Sequence, residues 1–300
     1  MLTYIQRHPS HAGKWIYNGY AHAFAYLDQN VVFIDKLDEI NTKEKYRLLC
    51  AEMMLNENTI NKMQNSYSTY LYVQPNEFPE PWGKHSAYST SIPDNLIDKV
   101  NSLSNVFKWT FSSETKHHFK WSNTISLPLA FDNINYLVRT DDDYQYDICF
   151  VGHSVDNGLS EKVPIMNSVL DAFMKSGLKC AFSVGQNISH ELENEVIIKS
   201  KVSLNIHDAY QRILGYDSNE RTFKSLGING LLVCDEVNQV KSLFPDVYLS
   251  NDPQKLIEKT KEYCSMNPDQ LRQIKKQNID FVESNHTYIN RVQKLLSITK

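Results

Sequence analysis

Residues 217–235, DSNERTFKSLGINGLLVCD, constrain the fold more than any other stretch of the chain. Asp217, followed three positions later by Glu220, reads as a helix start of capping-box type, with Asp in place of the usual Ser or Thr. Phe223 and Leu226 fall on one helical face, and Gly227 or Asn229-Gly230 can end the helix. Leu231, Leu232, Val233 and Cys234 then form an uninterrupted apolar run, the pattern of a strand covered on both faces. A short helix feeding a buried strand is half of an α/β repeat, and ligands in such sheets sit at strand and helix ends.

The same alternation runs through the whole chain. Residues 3–6 are a strand, 8–13 a polar loop, and a helix follows with Trp15, Tyr20, Phe24 and Leu27 on its apolar side. Residues 31–34 are the next strand, which completes a βαβ unit. A helix over 43–55 and a strand over 70–73 come next. Pro75, Pro79, Pro81 and Gly83 mark an excursion, and 107–111 and 124–127 are further strands. A second unit opens near Tyr146, with a buried strand ending at Gly152-His153 and a helix over 163–175. Strands over 179–184 and 202–206, the segment above, a strand over 247–249 and two C-terminal helices follow. The pattern predicts two α/β units of similar size, joined near residue 140.

The 300 residues suffice for two such units, and the net charge of −4 includes no basic block, which argues against a nucleic-acid partner without excluding it. The five cysteines are dispersed and odd in number, as expected of reduced thiols in a cytoplasmic protein without a zinc site. The N-terminus lacks the pattern of a signal peptide, and no run is long enough to span a bilayer.

In an open parallel sheet the loops after the strands converge on one edge. In the second unit they bring Gly152, His153 and Ser154, then Gly185 and Gln186, then His207 and Asp208. The helix starting at Ser218 or Asn219 points its N–H groups to the same edge, where a diphosphate fits. Asp217 and Glu220 oppose an anion there, while Arg221 and Lys224, one turn apart, either supply the opposite charge or form an ordinary solvated face. In the first unit His8 and His11 stand in the loop after the first strand as general base or donor, or as plain surface histidines. Gly13 closes that loop and lets a ligand approach the backbone. Ser112 and Glu114 precede His117-His118, a pair that lines the same edge or caps a helix. Thr140-Asp141-Asp142-Asp143 reads either as a solvated linker, the favoured reading, or as an Asp-x-Asp metal site. No GxSxG, P-loop or GxGxxG occurs.

Several segments together resemble the nucleotide-sugar domain of GT-B glycosyltransferases of group 1 (GT4-like), in the CgeB-like spore-maturation branch. They are Tyr146-Asp147-Ile148-Cys149-Phe150-Val151-Gly152, the run from Arg221 to Gly230, the run from Asn251 to Leu256, and His286-Thr287-Tyr288 with Arg291. Leu127-Pro128-Leu129-Ala130-Phe131-Asp132 resembles the element leading into the hinge, and the similarity spans roughly residues 105–296. The chain departs from the family at Lys224, where an acidic residue is usual, and at Asn229, where a glycine is usual.

The resemblance implies a GT-B fold with an acceptor-side domain over 1–140, a nucleotide-sugar domain over 141–282, and a helix over 283–300 crossing back. It implies transfer of a sugar from a nucleotide donor to a hydroxyl, in a surface glycan or lipopolysaccharide, by a retaining and metal-independent route without a cofactor. Arg221, Lys224, Ser218 and Asn219 would hold the diphosphate, Gly152, His153 and Gly185 would border it, and His207 and Asp208 would lie near the base or ribose. Gly13, Ser112 and Glu114 would face the acceptor, with His8 and His11 beside the reaction. A GT-B-like binding protein that has lost catalysis and a transferase acting on modified DNA are the alternatives.

Overall fold

The computed structural model describes residues 1–8, 11–84, 89–136, 143–154, 161–186 and 188–299, without the side chains of residues 11 and 12. In chain order β1 (Leu2–Gln6), α1 (His11–Tyr26) and β2 (Asn30–Ile34) lead to β3 (Tyr46–Ala51), α2 (Glu57–Asn65) and β4 (Ser68–Tyr72). Next come α3 (Asp94–Asn101), β5 (Val106–Thr110) and β6 (Ile125–Ser126). The second series is β7 (Tyr146–Gly152), α4 (Lys162–Met174), β8 (Cys180–Val184), α5 (His190–Ile198), β9 (Ser200–Asn205) and α6 (Ala209–Leu214). It continues through α7 (Glu220–Asn229), β10 (Leu232–Cys234), α8 (Asn238–Leu243), β11 (Tyr248–Leu249), α9 (Pro253–Ser265), α10 (Pro268–Asn285) and α11 (Tyr288–Ser297).

These elements form two compact units, Met1–Pro128 with Tyr288–Lys300, and Leu129–Thr287. Residues after Pro128 go with the second unit because Phe131 pairs there. Its N–H donates to His286 O at 2.8 Å, and its ring lies so close to Gly227 that a Cβ on the glycine would sit 2.4 Å away. The sequence pattern had placed this break near 140. In the first unit α11 packs on α1, and Gly19 makes room for the Tyr288 ring, 2.4 Å from where a Cβ would project.

Each unit holds one parallel sheet. The first has the order β2-β1-β3-β4-β5-β6 and the second β11-β10-β9-β7-β8, with every pairing parallel. In both, the first strand of the unit sits between the second and third, so the connections reverse direction on either side of it. That reversal opens a crevice at the carboxyl ends of β1 and β3, and of β7 and β9, where ligands bind in open α/β sheets. Ile148, Phe150, Val202, Leu204 and Val233 fill the second core beneath α4 and α9.

Three expectations are corrected. The helix expected over 43–55 is β3 followed by a single 3₁₀ turn. Leu48, Leu49 and Cys50 are buried on both faces, and a short apolar run of this kind carries no period that separates strand from helix. The start of α7 is capped by Asn219, whose Oδ1 accepts from Thr222 N at 3.3 Å, and not by Asp217 with Glu220. The helix returning to the first unit starts at Tyr288 and not at 283, because α10 runs to Asn285. Among the described residues no helix is long and apolar enough to cross a membrane.

Candidate functional site

β7 ends at Gly152 and β9 at Asn205, side by side at the reversal point of the second sheet. The first turn of α7 meets them there. Arg221 Nη1 donates to Asn205 Oδ1 at 2.9 Å, and the guanidinium carbon lies 4.9 Å from the centroid of the Phe150 ring. A Cβ on Gly152 would stand 2.3 Å from Arg221 Nη2, so a glycine is needed for the guanidinium to lie flat on the strand end. Among the described residues no carboxylate lies within 4.0 Å of this half-buried cation. Burial lowers its pKa, and the more distant Glu193, Glu220, Asp208 and Asp235 oppose that shift. An arginine keeps its proton under such pressure, which leaves an oriented positive charge at the ligand edge.

A chain of hydrogen bonds fixes Asn205 from below. With its Oδ1 taken by Arg221, its Nδ2 donates to Asn219 Oδ1 at 2.8 Å and to Thr222 Oγ1 at 2.9 Å. Thr222 Oγ1 then donates to His207 Nε2 at 3.0 Å, and His207 Nδ1 donates to Asp235 Oδ1 at 2.6 Å. His207 N also donates to Asp235, at 3.0 Å to Oδ2. The Asp235 carboxylate can only accept, so Nδ1 is the donor of that bond. Burial pushes the Asp235 carboxyl up, but His207 and Arg212 outweigh it and hold the group below its ordinary value. His207 is fully buried, so it positions its neighbours and does not face a base or ribose, as the sequence had suggested.

Lys224 is also placed differently from expectation. Its Nζ lies 2.6 Å from Glu193 Oε1 and 3.8 Å from Glu220 Oε2, with the side chain largely buried. It serves as counterion to two carboxylates rather than as a second open cation beside Arg221. The acids that would repel a phosphate are thereby quieted: Glu220 by Lys224, and Asp217 by burial, which pushes its carboxyl up to about 7.

The other expected residues divide similarly. Asp208 forms an ion pair with Lys162, and Ser218 Oγ donates to Gln239 Oε1 at 2.9 Å inside the unit. His153 is exposed at the end of β7, and Gly185, with φ +65°, donates its N–H to Gly152 O at 2.9 Å. Asn205, Thr222, Phe150 and Asp235 were missed. Asp235 directly follows the buried strand β10, much as His207 comes two residues after β9, and that parallel was the available signal.

His207, Cys234 and Asp235 bring three possible ligand atoms within 4.8 Å of one another. The His207–Asp235 hydrogen bond occupies two of those groups, and burial raises the Cys234 thiol well above its ordinary value, away from the thiolate a metal would need. Of the acidic run, Asp143 is exposed and lies 3.2 Å from Lys199, while Asp141 and Asp142 fall outside the described residues.

At the corresponding edge of the first sheet, His8 stacks on Tyr17 at 5.7 Å, and a Cβ on Gly13 would overlap the His8 ring. Burial lowers the His8 pKa, which keeps the imidazole neutral and able to accept a proton at neutral pH. The side chain of His11, in the first turn of α1, lies outside the described residues. Ser112 Oγ donates to Glu114 O at 3.1 Å, which makes a local turn, and Glu114 is exposed. His118 is buried, and burial lowers its pKa to about 4.

Glu52, which follows β3 at the reversal point of this sheet, is buried and accepts from Gln74 N at 2.9 Å. Burial pushes its carboxyl up to about 7, against the pull of Thr90 and Gln74. Folded Glu52 therefore holds a proton that the unfolded chain releases at its ordinary value of 4.5. Its stabilising contribution is complete below that ordinary value and is lost as pH rises through about 7. Glu52→Gln is expected to exceed the parent in stability at pH 8 by about 3 kcal/mol, with the gap closing towards pH 4.5. Urea unfolding at the two pH values checks this, and a gap that does not change with pH would refute it.

Residues 175–297, from the end of α4 through α11, match the model of a family described as "Glycosyl transferase-like". Solved structures match over the whole length. T4 phage BGT in complex with UDP-glucose is 12% identical, with 99% of this chain and 98% of that one covered, at a TM-score of 0.56. An α-glucosyltransferase in complex with UDP and a 13-mer DNA containing a central A:G mismatch is 9% identical, with 99% and 98% covered, at 0.60. AviGT4, a glycosyltransferase involved in avilamycin A biosynthesis, is 8% identical, with 99% and 98% covered, at 0.52. The fold is GT-B. No curated protein sequence matches the chain significantly. Within this GT-B chain the matched family segment contains Asn205, His207, Arg221, Thr222 and Asp235, but not Phe150 and Gly152, which also contact the cation.

Proposed function

We infer that this chain is a glycosyltransferase that draws on a nucleotide-diphosphate sugar and passes the sugar to a hydroxyl acceptor. The observation that carries the reading is Arg221, an uncompensated guanidinium clamped by Asn205, Phe150 and Gly152 at the ligand edge of a Rossmann-like sheet. When the bond between the anomeric carbon and the diphosphate breaks, positive charge develops on the sugar ring and negative charge on the leaving phosphates. A cation already oriented at that place stabilises the separation without having to reorganise. Arg221 supplies that charge from the chain itself, and we assign the reaction no cofactor and no metal. Within the first unit, His8, neutral by burial and packed on Gly13, is the group we assign as a proton acceptor.

The retaining course and the CgeB-like affiliation rest on the sequence resemblance. BGT, a β-glucosyltransferase, and an α-glucosyltransferase both share the fold, so the fold accommodates either anomer. The anomeric configuration of the first-formed product, read by NMR, decides between them. A surface glycan is the acceptor we favour, given the net charge of −4 and the lack of a basic block. A hydroxyl-bearing base in DNA is the second reading, supported by the end-to-end match to a DNA-modifying β-glucosyltransferase and to an α-glucosyltransferase in complex with DNA.

UDP, GDP, ADP and CDP are to be compared by thermal shift and calorimetry. UDP, which the BGT and α-glucosyltransferase structures hold, is the one expected to raise the melting temperature, by an amount that grows with its concentration. No shift with any of the four would remove the proposal. Binding without turnover of any nucleotide sugar would leave a binding protein in place of an enzyme.

A further inference from the structure

Lys108 lies on β5 of the first unit, away from the residues discussed above. The residue is only 3% exposed. Among the described residues its ammonium has a single hydrogen-bond partner, the neutral Ser122 Oγ at 3.1 Å, and no carboxylate lies within 4.0 Å. Ser122 Oγ in turn donates to Asn101 Oδ1 at 3.0 Å and so has a lone pair for the lysine. Burial lowers the Lys108 pKa. Burying a cation with most of its donors unmet is costly, and such groups are ordinarily paired. β6 pairs only with Trp109 and Thr110, the last two residues of β5, so among the described residues Val106, Phe107 and Lys108 have no strand on that side. A cavity of about 240 Å³ occupies the gap, lined by Lys108, by the polar Asn101, Ser104 and Asn123, and by apolar residues that include Phe107 and Ile298.

We propose that this cavity is a second ligand site, which takes a small carboxylate with an apolar tail and seats its charge on Lys108. One cation beside a mostly apolar wall suits a monoanion with a hydrocarbon body rather than a phosphate, whose higher charge and hydration need several donors. A cavity of 150 Å³ holds benzene, so this one has room for about ten non-hydrogen atoms. The wall removes the tail from water, and the carboxylate gives the ammonium the charge-assisted partner it lacks.

The test uses the full-length protein and three probes, hexanoate, hexanol and inorganic phosphate, titrated by calorimetry with NMR shifts as a second reading. Hexanoate is expected to bind saturably, while hexanol and phosphate do not. Lys108→Met, which removes the charge but keeps the volume, is expected to weaken hexanoate by about tenfold or more. Ile298→Trp, which fills the cavity and leaves Lys108 in place, is expected to abolish binding. The proposal is overturned if hexanol binds as well as hexanoate, if both variants bind like the parent, or if hexanoate shows no saturation up to roughly 10 mM.

Discussion

Arg221→Ala is expected to lower kcat/KM with the productive nucleotide sugar by about two to three orders of magnitude, the usual loss when one preorganised donor to a developing anion is removed. The guanidinium is the only open cation that α7 brings to the end of β7, because Lys224 is held by Glu193 and Glu220. Lys224→Ala is therefore expected to act mainly on stability, through the two carboxylates it leaves unpaired. Arg221→Lys should recover little, since an ammonium cannot both lie flat over Phe150 and reach Asn205. Gly152→Ala should reproduce most of the Arg221→Ala defect without touching the arginine, because the new methyl would stand 2.3 Å from Nη2. Parallel UDP titrations separate ground-state binding from transition-state stabilisation. If Arg221→Ala and Gly152→Ala both keep parental kcat/KM and UDP affinity, the phosphate site lies elsewhere.

Much of the second unit was legible in its residues. The helix and strand around Gly230, the strand ending at Gly152, and the convergence of Gly152, His207 and Arg221 on one edge follow from apolar runs and their terminators. What stayed hidden has physical causes. Residues 48–51 are an apolar run covered on both faces, so their pattern has no period from which to tell a strand. α5 carries Glu191, Glu193 and Glu195, and its apolar Val196, Ile197 and Ile198 are consecutive, so its helical face was faint, although Ser189 caps it. The fate of Lys224 was set by Glu193, a residue 31 positions earlier that reaches it only through the tertiary fold. Asp217 looked like a cap, yet Asn219, two residues on, has the geometry to accept from Thr222 N. Local sequence thus brought these residues to one edge of the sheet, while long-range pairing decided which cation stays open there.

That pairing is tested most severely at Asp235. Its carboxylate is buried and receives the Nδ1 and N protons of His207, with Arg212 Nε 3.4 Å away. Asp235→Ala strands a buried imidazole N–H, a backbone N–H and a largely buried guanidinium, and is expected to cost about 3–5 kcal/mol of folding stability. Asp235→Asn keeps the shape and one acceptor oxygen, and should lose less, about 1–3 kcal/mol. Because the folded pKa of Asp235 is depressed, its contribution is present above the ordinary value of 3.8 and is lost only as pH falls through the lower folded one. The defect should therefore be equally large at pH 6 and pH 8. Loss of Asp235 also frees the His207 ring, and with it the hold of Thr222 on Asn205 and of Asn205 on Arg221, so UDP affinity should fall together with stability. Thr222→Val cuts the same chain one step later while leaving His207 on Asp235. It should weaken UDP binding with a smaller loss of stability, as two buried partners lose one hydrogen bond each. Urea denaturation and UDP calorimetry on the three variants give both quantities. Parental UDP affinity in a folded Thr222→Val protein would mean that Arg221 is held by Phe150 and Gly152 alone, and that the buried His207–Asp235 pair serves the fold without serving the site.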